Sequence, residues 1–290
     1  MGDVVTAPSY CLVYLASSRA ATAGGVARID CLAASLRSAR ACLPTAPPVL
    51  VFHEDYTAED RGALRAITPC DFEAVDFSIG DADFVRHRRP KGYMLMCRFW
   101  SGVVQRHPAL RGFTHYMRLD DDSYFINPKV TPEEVERMLR SDYSYRQVFR
   151  DPSEQHDDLY RFTVDFLRGE GLAVPEHQLL SLGRYSGKAV YNNFHVASLR
   201  LWRHPLVARY LDAVEVERGC LRRGWMDANV HTMILAMLLP HTDLALNQEL
   251  RFGYRHNHHL AVLGSSTVRF DERLPFVVRA SEYAQEDLRS

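Results

Sequence analysis

The sequence predicts an α/β fold, with a largely parallel sheet covered by helices on both faces. Three observations carry that expectation. Short apolar runs recur at Tyr10-Cys-Leu-Val-Tyr-Leu-Ala16, at Val49-Leu-Val-Phe52 and over 70–77. Segments with helical periodicity, 26–43 and 57–67, separate them. The chain has 290 residues, 47% of them hydrophobic, which is enough to bury a sizeable core.

The elements follow in order. Ser17-Ser18-Arg19 breaks the first strand, and Pro44 to Pro48 turns the first helix back into the second strand. Thr57 stands where a helix cap is needed, ahead of Glu59 and Asp60. A helix is expected over 90–107, with Met94, Cys97 and Val104 on its apolar side and Pro108 as its stop. Phe113-Thr-His-Tyr-Met-Arg-Leu119 reads as a strand, and Ser123-Tyr-Phe-Ile126 as a short one after it. Thr131-Pro132-Glu-Glu134 is a strong helix start. Residues 142–150 read as extended, 159–169 as helical and 191–197 as a strand. A helix over 199–218 breaks at Pro205, another runs over 225–239, 243–246 is extended, and the tail is less regular. No repeat or low-complexity linker divides the chain. One domain over 1–290 is expected, with a nucleotide-binding half over about 10–120. The half over about 121–270 would complete the same sheet and build an acceptor side.

Composition removes several classes of function. A formal net charge of −1 gives no bulk attraction to nucleic acid or to anionic membrane. None of the six cysteines forms a Cys-x-x-Cys pair, which argues against a zinc ribbon. Gly-x-Gly-x-x-Gly, Gly-x-x-x-x-Gly-Lys-Ser/Thr and Gly-x-Ser-x-Gly are all absent, which disfavours dinucleotide, P-loop and serine-hydrolase chemistry. The N-terminus lacks the basic and apolar regions of a secretory signal. The longest apolar run, Met233 to Leu239, is far shorter than the roughly 20 residues a membrane span takes. The chain as given is expected to be soluble.

The most informative segment is Asp120-Asp121-Asp122, at the end of the 113–119 strand. Adjacent carboxylates repel one another, so burying them calls for a cation. Oxygen ligands of this kind suit Mg²⁺ or Mn²⁺. The end of a strand in an α/β protein is also where ligands commonly bind. On the tripeptide alone, a solvated acidic turn and a metal site carry equal weight.

Further segments add to it. Gly92-Tyr93-Met-Leu-Met96-Cys97-Arg98-Phe99-Trp-Ser101-Gly102, then His107-Pro108, precede Tyr116-Met-Arg118-Leu-Asp120-Asp121-Asp122. They resemble the fungal α-1,2-mannosyltransferases of the secretory pathway (glycosyltransferase family fifteen). Those read Tyr-x-x-Met-Cys-Arg-Phe-x-Ser-Gly, His-Pro and Arg-Val-Glu-Pro-Asp/Asn. Asn192-Asn193-Phe194-His195-Val196 resembles the family's Ser-Asn-Phe-Glu-Ile, and Trp225-Met226-Asp227-Ala228-Asn229-Val230-His231 its Trp-Gly-Asp-Ala-Pro-Val-His. Phe252-Gly253-Tyr254-Arg255-His256 resembles Ile-Gly-Tyr-x-His, and Val51-Phe52-His-Glu-Asp55 resembles Val-Phe-Leu-Asn-Asp. The order of all the pieces, over roughly 10–260, makes the resemblance specific.

The resemblance implies a GT-A glycosyltransferase fold, a single Rossmann-like domain with a mixed central sheet. It also implies GDP-mannose as donor, Mn²⁺ with Mg²⁺ as the alternative, a glycan or glycoprotein acceptor, and transfer with retention of configuration. By position, Asp120 and Asp122 fall on the family's acidic motif and His256 on its metal-binding histidine. Asp120 would serve the metal or the ribose.

Asp227, at the start of an apolar helix, is either a helix cap or the residue that binds the acceptor hydroxyl. Tyr93 either packs or touches the donor. Arg98 pairs with the diphosphate or with a core carboxylate, and Arg19 meets the nucleotide or the solvent. His195 stands where the family has a glutamate facing the sugar's reactive carbon, and it cannot act there as an anionic nucleophile. That difference favours same-face attack by the acceptor. Asp121 replaces the proline of the family's acidic motif.

The family's members are Golgi proteins, so the chain is expected either in the cytoplasm or, as a domain cut from an anchored protein, in the Golgi lumen. Three rivals stay open: a transferase of the same fold using another nucleotide sugar, a metal-dependent phosphohydrolase, and a carbohydrate-binding homologue with altered catalysis.

Overall fold

The computed structural model describes residues 9–18, 22–23, 26–78, 83–86, 89–150, 153–174, 180–181, 184–239, 245–256, 260–263 and 266–268. Arg19 lies outside them. The first third of the chain alternates as its periodicity requires. It contains β1 (Tyr10–Leu15), the two-residue strands β2 (Thr22–Ala23) and β3 (Val26–Ala27), and α1 (Arg28–Cys42). Then come β4 (Val49–His53), α2 (Ala58–Arg65), β5 (Asp71–Ala74) and α3 (Lys91–Arg98). Thr57 caps α2 in a reciprocal capping box with Asp60.

The helix expected over 90–107 stays α-helical only to Arg98. It continues as a π turn over Phe99–Val103 and a 3-10 turn over Val104–Arg106. Ser101 lies within the π turn. Its hydroxyl donates to the Cys97 carbonyl at 2.7 Å, a kind of bond that Thr163 and Thr232 also make inside unbroken helices, so it accompanies the change without accounting for it.

Beyond that point lie β6 (His115–Leu119), β7 (Ser123–Ile126), α4 (Pro132–Arg140), β8 (Tyr143–Tyr145), β9 (Val148–Arg150) and α5 (Glu154–Gly169). They are followed by β10 (Leu180–Ser181), β11 (Arg184–Tyr185), β12 (Lys188–Val190), β13 (Phe194–Ser198), α6 (Leu199–Arg203) and α7 (Pro205–Val216). The chain then forms α8 (Asp227–Leu238), β14 (Leu246–Asn247), β15 (Gly253–His256), β16 (Leu260–Leu263) and β17 (Ser266–Val268).

The central sheet has the order β14-β8-β13-β6-β1-β4-β5. Strands β6, β1, β4 and β5 run parallel, whereas β13 is antiparallel to both β6 and β8, so the sheet is mixed. Alternation along β1 divides the core: Cys11, Val13 and Leu15 face one hydrophobic cluster, and Tyr10, Leu12 and Tyr14 the other. Helix α8 lies on the first side and is buried along its whole length.

The tail, expected to be irregular, forms a second sheet of order β17-β16-β15-β7. Its pairing of β15 with β7 places His256 opposite Ser123, directly after the aspartate run. Gly253 is required at that junction. A Cβ there would lie 2.1 Å from the Asn127 carbonyl oxygen, while its N–H donates to the Pro128 carbonyl at 2.7 Å.

Candidate active site

Three ligand atoms, one each from Asp120, Asp122 and His256, lie within 4.8 Å of one another. The elements explain the convergence. Strand β6 delivers the aspartates to the end of the sheet, a turn closed by Ser123 N–H to the Asp120 carbonyl follows, and β15 brings in the histidine. His256 Nδ1 lies 2.8 Å from the Ser123 hydroxyl and 3.6 Å from Asp122 Oδ1. Tyr254 donates its hydroxyl to the same Ser123 oxygen at 2.9 Å. The Ser123 hydroxyl so fixes the His256 ring beside Asp122.

The donor set fits a divalent ion such as Mn²⁺, which accepts carboxylate and imidazole together. Burial pushes the Asp122 carboxyl upward, but the charges of His256 and Arg28 outweigh it and hold it below its ordinary value. Burial raises Asp120, with Arg118 opposing.

Asp121 turns the other way. It accepts from Ser17 N–H at 3.0 Å and forms an ion pair with Arg28, whose other nitrogen reaches Asp122 Oδ2 at 2.6 Å.

A second carboxylate centre adjoins the first. Arg118 is fully buried, its guanidinium 4.2 Å from the centre of the Trp100 ring. It donates to Asp120 at 2.9 Å and to Asp227 Oδ2 at 2.6 Å, so one arginine joins the two carboxylates. The Asn192 amide donates to the same Asp227 oxygen at 2.9 Å. Burial raises the Asp227 carboxyl, but Arg118, His231 and Asn192 together hold it low, and it is ionised. Asp227 is the first residue of α8, and the N-cap position belongs to Met226. Tyr93 lies beside it. The phenol is 3.5 Å from the Met226 sulfur and close enough to Asp227 and Arg118 to feel both charges.

Two expected site residues are engaged elsewhere. Arg98 grips Glu215 with hydrogen bonds of 2.8 to 3.0 Å, and none of its bonds goes to the acidic cluster. Of the two roles open to it, the structure shows the carboxylate pair, at the edge of a cavity of about 120 Å³ that Gly102 and Leu221 also line.

His195 is completely buried. Its Nδ1–H donates to the Asn192 carbonyl at 2.9 Å, and its Nε2 accepts from the Tyr116 hydroxyl at 2.9 Å. Both nitrogens are used, and burial holds the ring neutral. It braces the Asn192 turn.

Sequence reasoning passed over Arg28, Arg118 and Asn192. Arg118 and Asn192 lie inside the very segments that marked the site, beside the residues chosen from them. Arg28 carries no local signal, because its partners are 93 and 94 positions away. Among the described residues, no helix is long and apolar enough to cross a membrane.

The glycolipid 2-alpha-mannosyltransferase family model matches residues 79–275, more than half of the chain. The chain is 28% identical over 177 residues to the glycolipid 2-alpha-mannosyltransferase of Saccharomyces cerevisiae, covering 57% of this chain and 39% of that protein. It is 26% identical over 160 residues to the alpha-1,2 mannosyltransferase KTR1 of the same yeast, covering 52% and 40%. The chain thus spans less than half the length of these curated relatives.

Two solved structures share its fold. Core-mannan synthase A of Aspergillus fumigatus, in a Mn/GDP form, superposes with a TM-score of 0.69 at 16% identity, over 98% of this chain and 84% of that one. The mannosyltransferase Ktr4p of S. cerevisiae, in complex with GDP, gives 0.70 at 16%, over 87% and 72%. The architecture is the GT-A glycosyltransferase fold, and by the family match the chain is a member of the glycolipid 2-alpha-mannosyltransferase family.

Proposed function

We propose that the chain transfers a mannosyl group from GDP-mannose to a hydroxyl of a glycan acceptor, forming an α-1,2 linkage with retention. The observation that carries this reading is the junction of two centres through Arg118. An Asp120, Asp122 and His256 cluster suited to a divalent ion meets an ionised, buried Asp227 across one guanidinium. A bound Mn²⁺ or Mg²⁺ would supply positive charge at the diphosphate, held by Asp122 and His256 with Asp120 on the ion or the ribose. The Mn/GDP and GDP forms of the two solved relatives support that choice of ligands.

The chain's own residues do the rest. The bond between the anomeric carbon and the diphosphate oxygen breaks, and a bond from the acceptor oxygen forms on the same face. Asp227 accepts a hydrogen bond from the acceptor hydroxyl and orients it. Its depressed pKa makes it a poor final store for the proton, which leaves on the departing diphosphate. Arg118 keeps Asp227 ionised, and Tyr93 closes the neighbouring wall. A glycoprotein or glycolipid acceptor and a Golgi-lumen setting complete the proposal, and the name of the glycolipid 2-alpha-mannosyltransferase of yeast supports the glycolipid.

A thermal-shift comparison of GDP, UDP and their sugars, with and without Mn²⁺, tests the reading. Stabilisation by GDP and GDP-mannose that needs Mn²⁺ is expected. A preference for UDP would keep the fold and replace the donor. Phosphate release without an acceptor would favour a phosphohydrolase.

A further inference from the structure

We infer that Arg28 and Asp121 form a strut that sets the metal-facing geometry of Asp122, so that Arg28 is a positioning residue of the cation site. The inference rests on the metal-site reading above. Asp122 divides its two oxygens: Oδ1 faces His256 at 3.6 Å, and Oδ2 takes Arg28 Nη1 at 2.6 Å. A carboxylate held by one oxygen in this way cannot rotate to offer the other.

Arg28 is in turn fixed. Its Nε reaches Asp121 Oδ2 and the Ser17 hydroxyl, each at 3.2 Å, and its Nη2 pairs with Asp121 Oδ1. Asp121 is itself anchored by Ser17 N–H at 3.0 Å. The end of β1, the first residue of α1 and the β6–β7 turn therefore meet at one guanidinium.

The middle aspartate also acquires a reason. It is 2% exposed and points away from the cluster, so it serves the site through Arg28 rather than as a ligand.

The test is Mn²⁺ affinity of the full chain, measured by electron paramagnetic resonance and calorimetry without nucleotide. Arg28→Met alone leaves Asp121 buried without its partner and can weaken folding, so the deciding variant is Arg28→Met with Asp121→Leu. Exchanging both members of a buried pair for apolar residues is tolerated far better than removing one. The double variant still leaves Asp122 Oδ2 without its donor, so its Tm is expected to fall, but by less than in Arg28→Met alone, and it is expected to bind Mn²⁺ roughly 10- to 100-fold more weakly, as loss of an outer-shell partner does. Asp121→Asn is expected to weaken Mn²⁺ binding in the wild-type background and to have no effect once Arg28 is Met. Unchanged or tighter Mn²⁺ binding in the double variant overturns the strut. Failure of the wild type to bind Mn²⁺ overturns the metal-site reading itself, and the strut with it.

Discussion

Asp227 is buried at 4% exposure, yet it stays charged because Arg118 faces it across 2.6 Å. One arginine thereby sets the charge of Asp227 and touches Asp120 of the cation cluster. Arg118→Met would leave two carboxylates near the core without their cation. It is expected to cost about 3–5 kcal/mol, read as a lower urea midpoint, and no loss of stability would contradict the shared-pair description. Asp227→Asn keeps the shape and removes the charge. It is expected to lower kcat by about 100-fold or more while GDP and Mn²⁺ binding fall far less, because Asp120 keeps its own hydrogen bond from Arg118 Nε. Equal losses in GDP binding and turnover would place Asp227 on the donor side. His256→Ala should do the reverse and weaken Mn²⁺ and Mn²⁺-dependent GDP binding together, as calorimetry would show.

At the scale of elements, the site depends on strand β15, whose short mixture of aromatic and charged residues gives no clear period. The alternating segments 10–74 were legible because an apolar strand and an amphipathic helix differ in period, and the capping boxes at Thr57 and Thr131 marked two helix starts. The change to π and 3-10 turns after Arg98 was not legible, since no proline interrupts 91–106 to mark it. The pairings that assemble the site were not legible either. Asp122 and His256 are distant in sequence and meet only because β7 and β15 pair, so their association could be expected from the resemblance but not from spacing. Gly253 is the point where that pairing can be broken. Gly253→Ala would drive a methyl group into the Asn127 carbonyl. It is expected to destabilise by about 2 kcal/mol or more and to weaken Mn²⁺ binding with it, as parallel urea melts and metal titrations would show. Loss of stability with intact metal affinity would separate β15 from the site.

Across the whole molecule, the buried histidines link stability to pH. His231 donates Nε2–H to the Trp100 carbonyl at 2.8 Å, and its Nδ1 accepts from Tyr143 at 2.9 Å. Burial lowers its pKa from the ordinary 6.5 to about 4. Above 6.5 both the folded and unfolded chains hold it neutral. As pH falls from 6.5 towards 4 the unfolded chain takes up the proton first, so stability is lost through that window, by up to about 3 kcal/mol. Calorimetric Tm values between pH 7 and pH 4 should fall accordingly, and His231→Gln should flatten the slope. An unchanged slope in that variant would assign the effect to other groups.

The central claim, that the two carboxylate centres joined by Arg118 make a metal-dependent mannosyltransferase, is tested most directly by product analysis. The wild-type chain is incubated with GDP-mannose, Mn²⁺ and a mannoside acceptor, and the new linkage is read by nuclear magnetic resonance alongside the Asp122→Asn variant. The account predicts an α-1,2-linked product that disappears with chelator and falls at least about 100-fold in the variant. A β-linked product, or undiminished transfer by the variant, would contradict it.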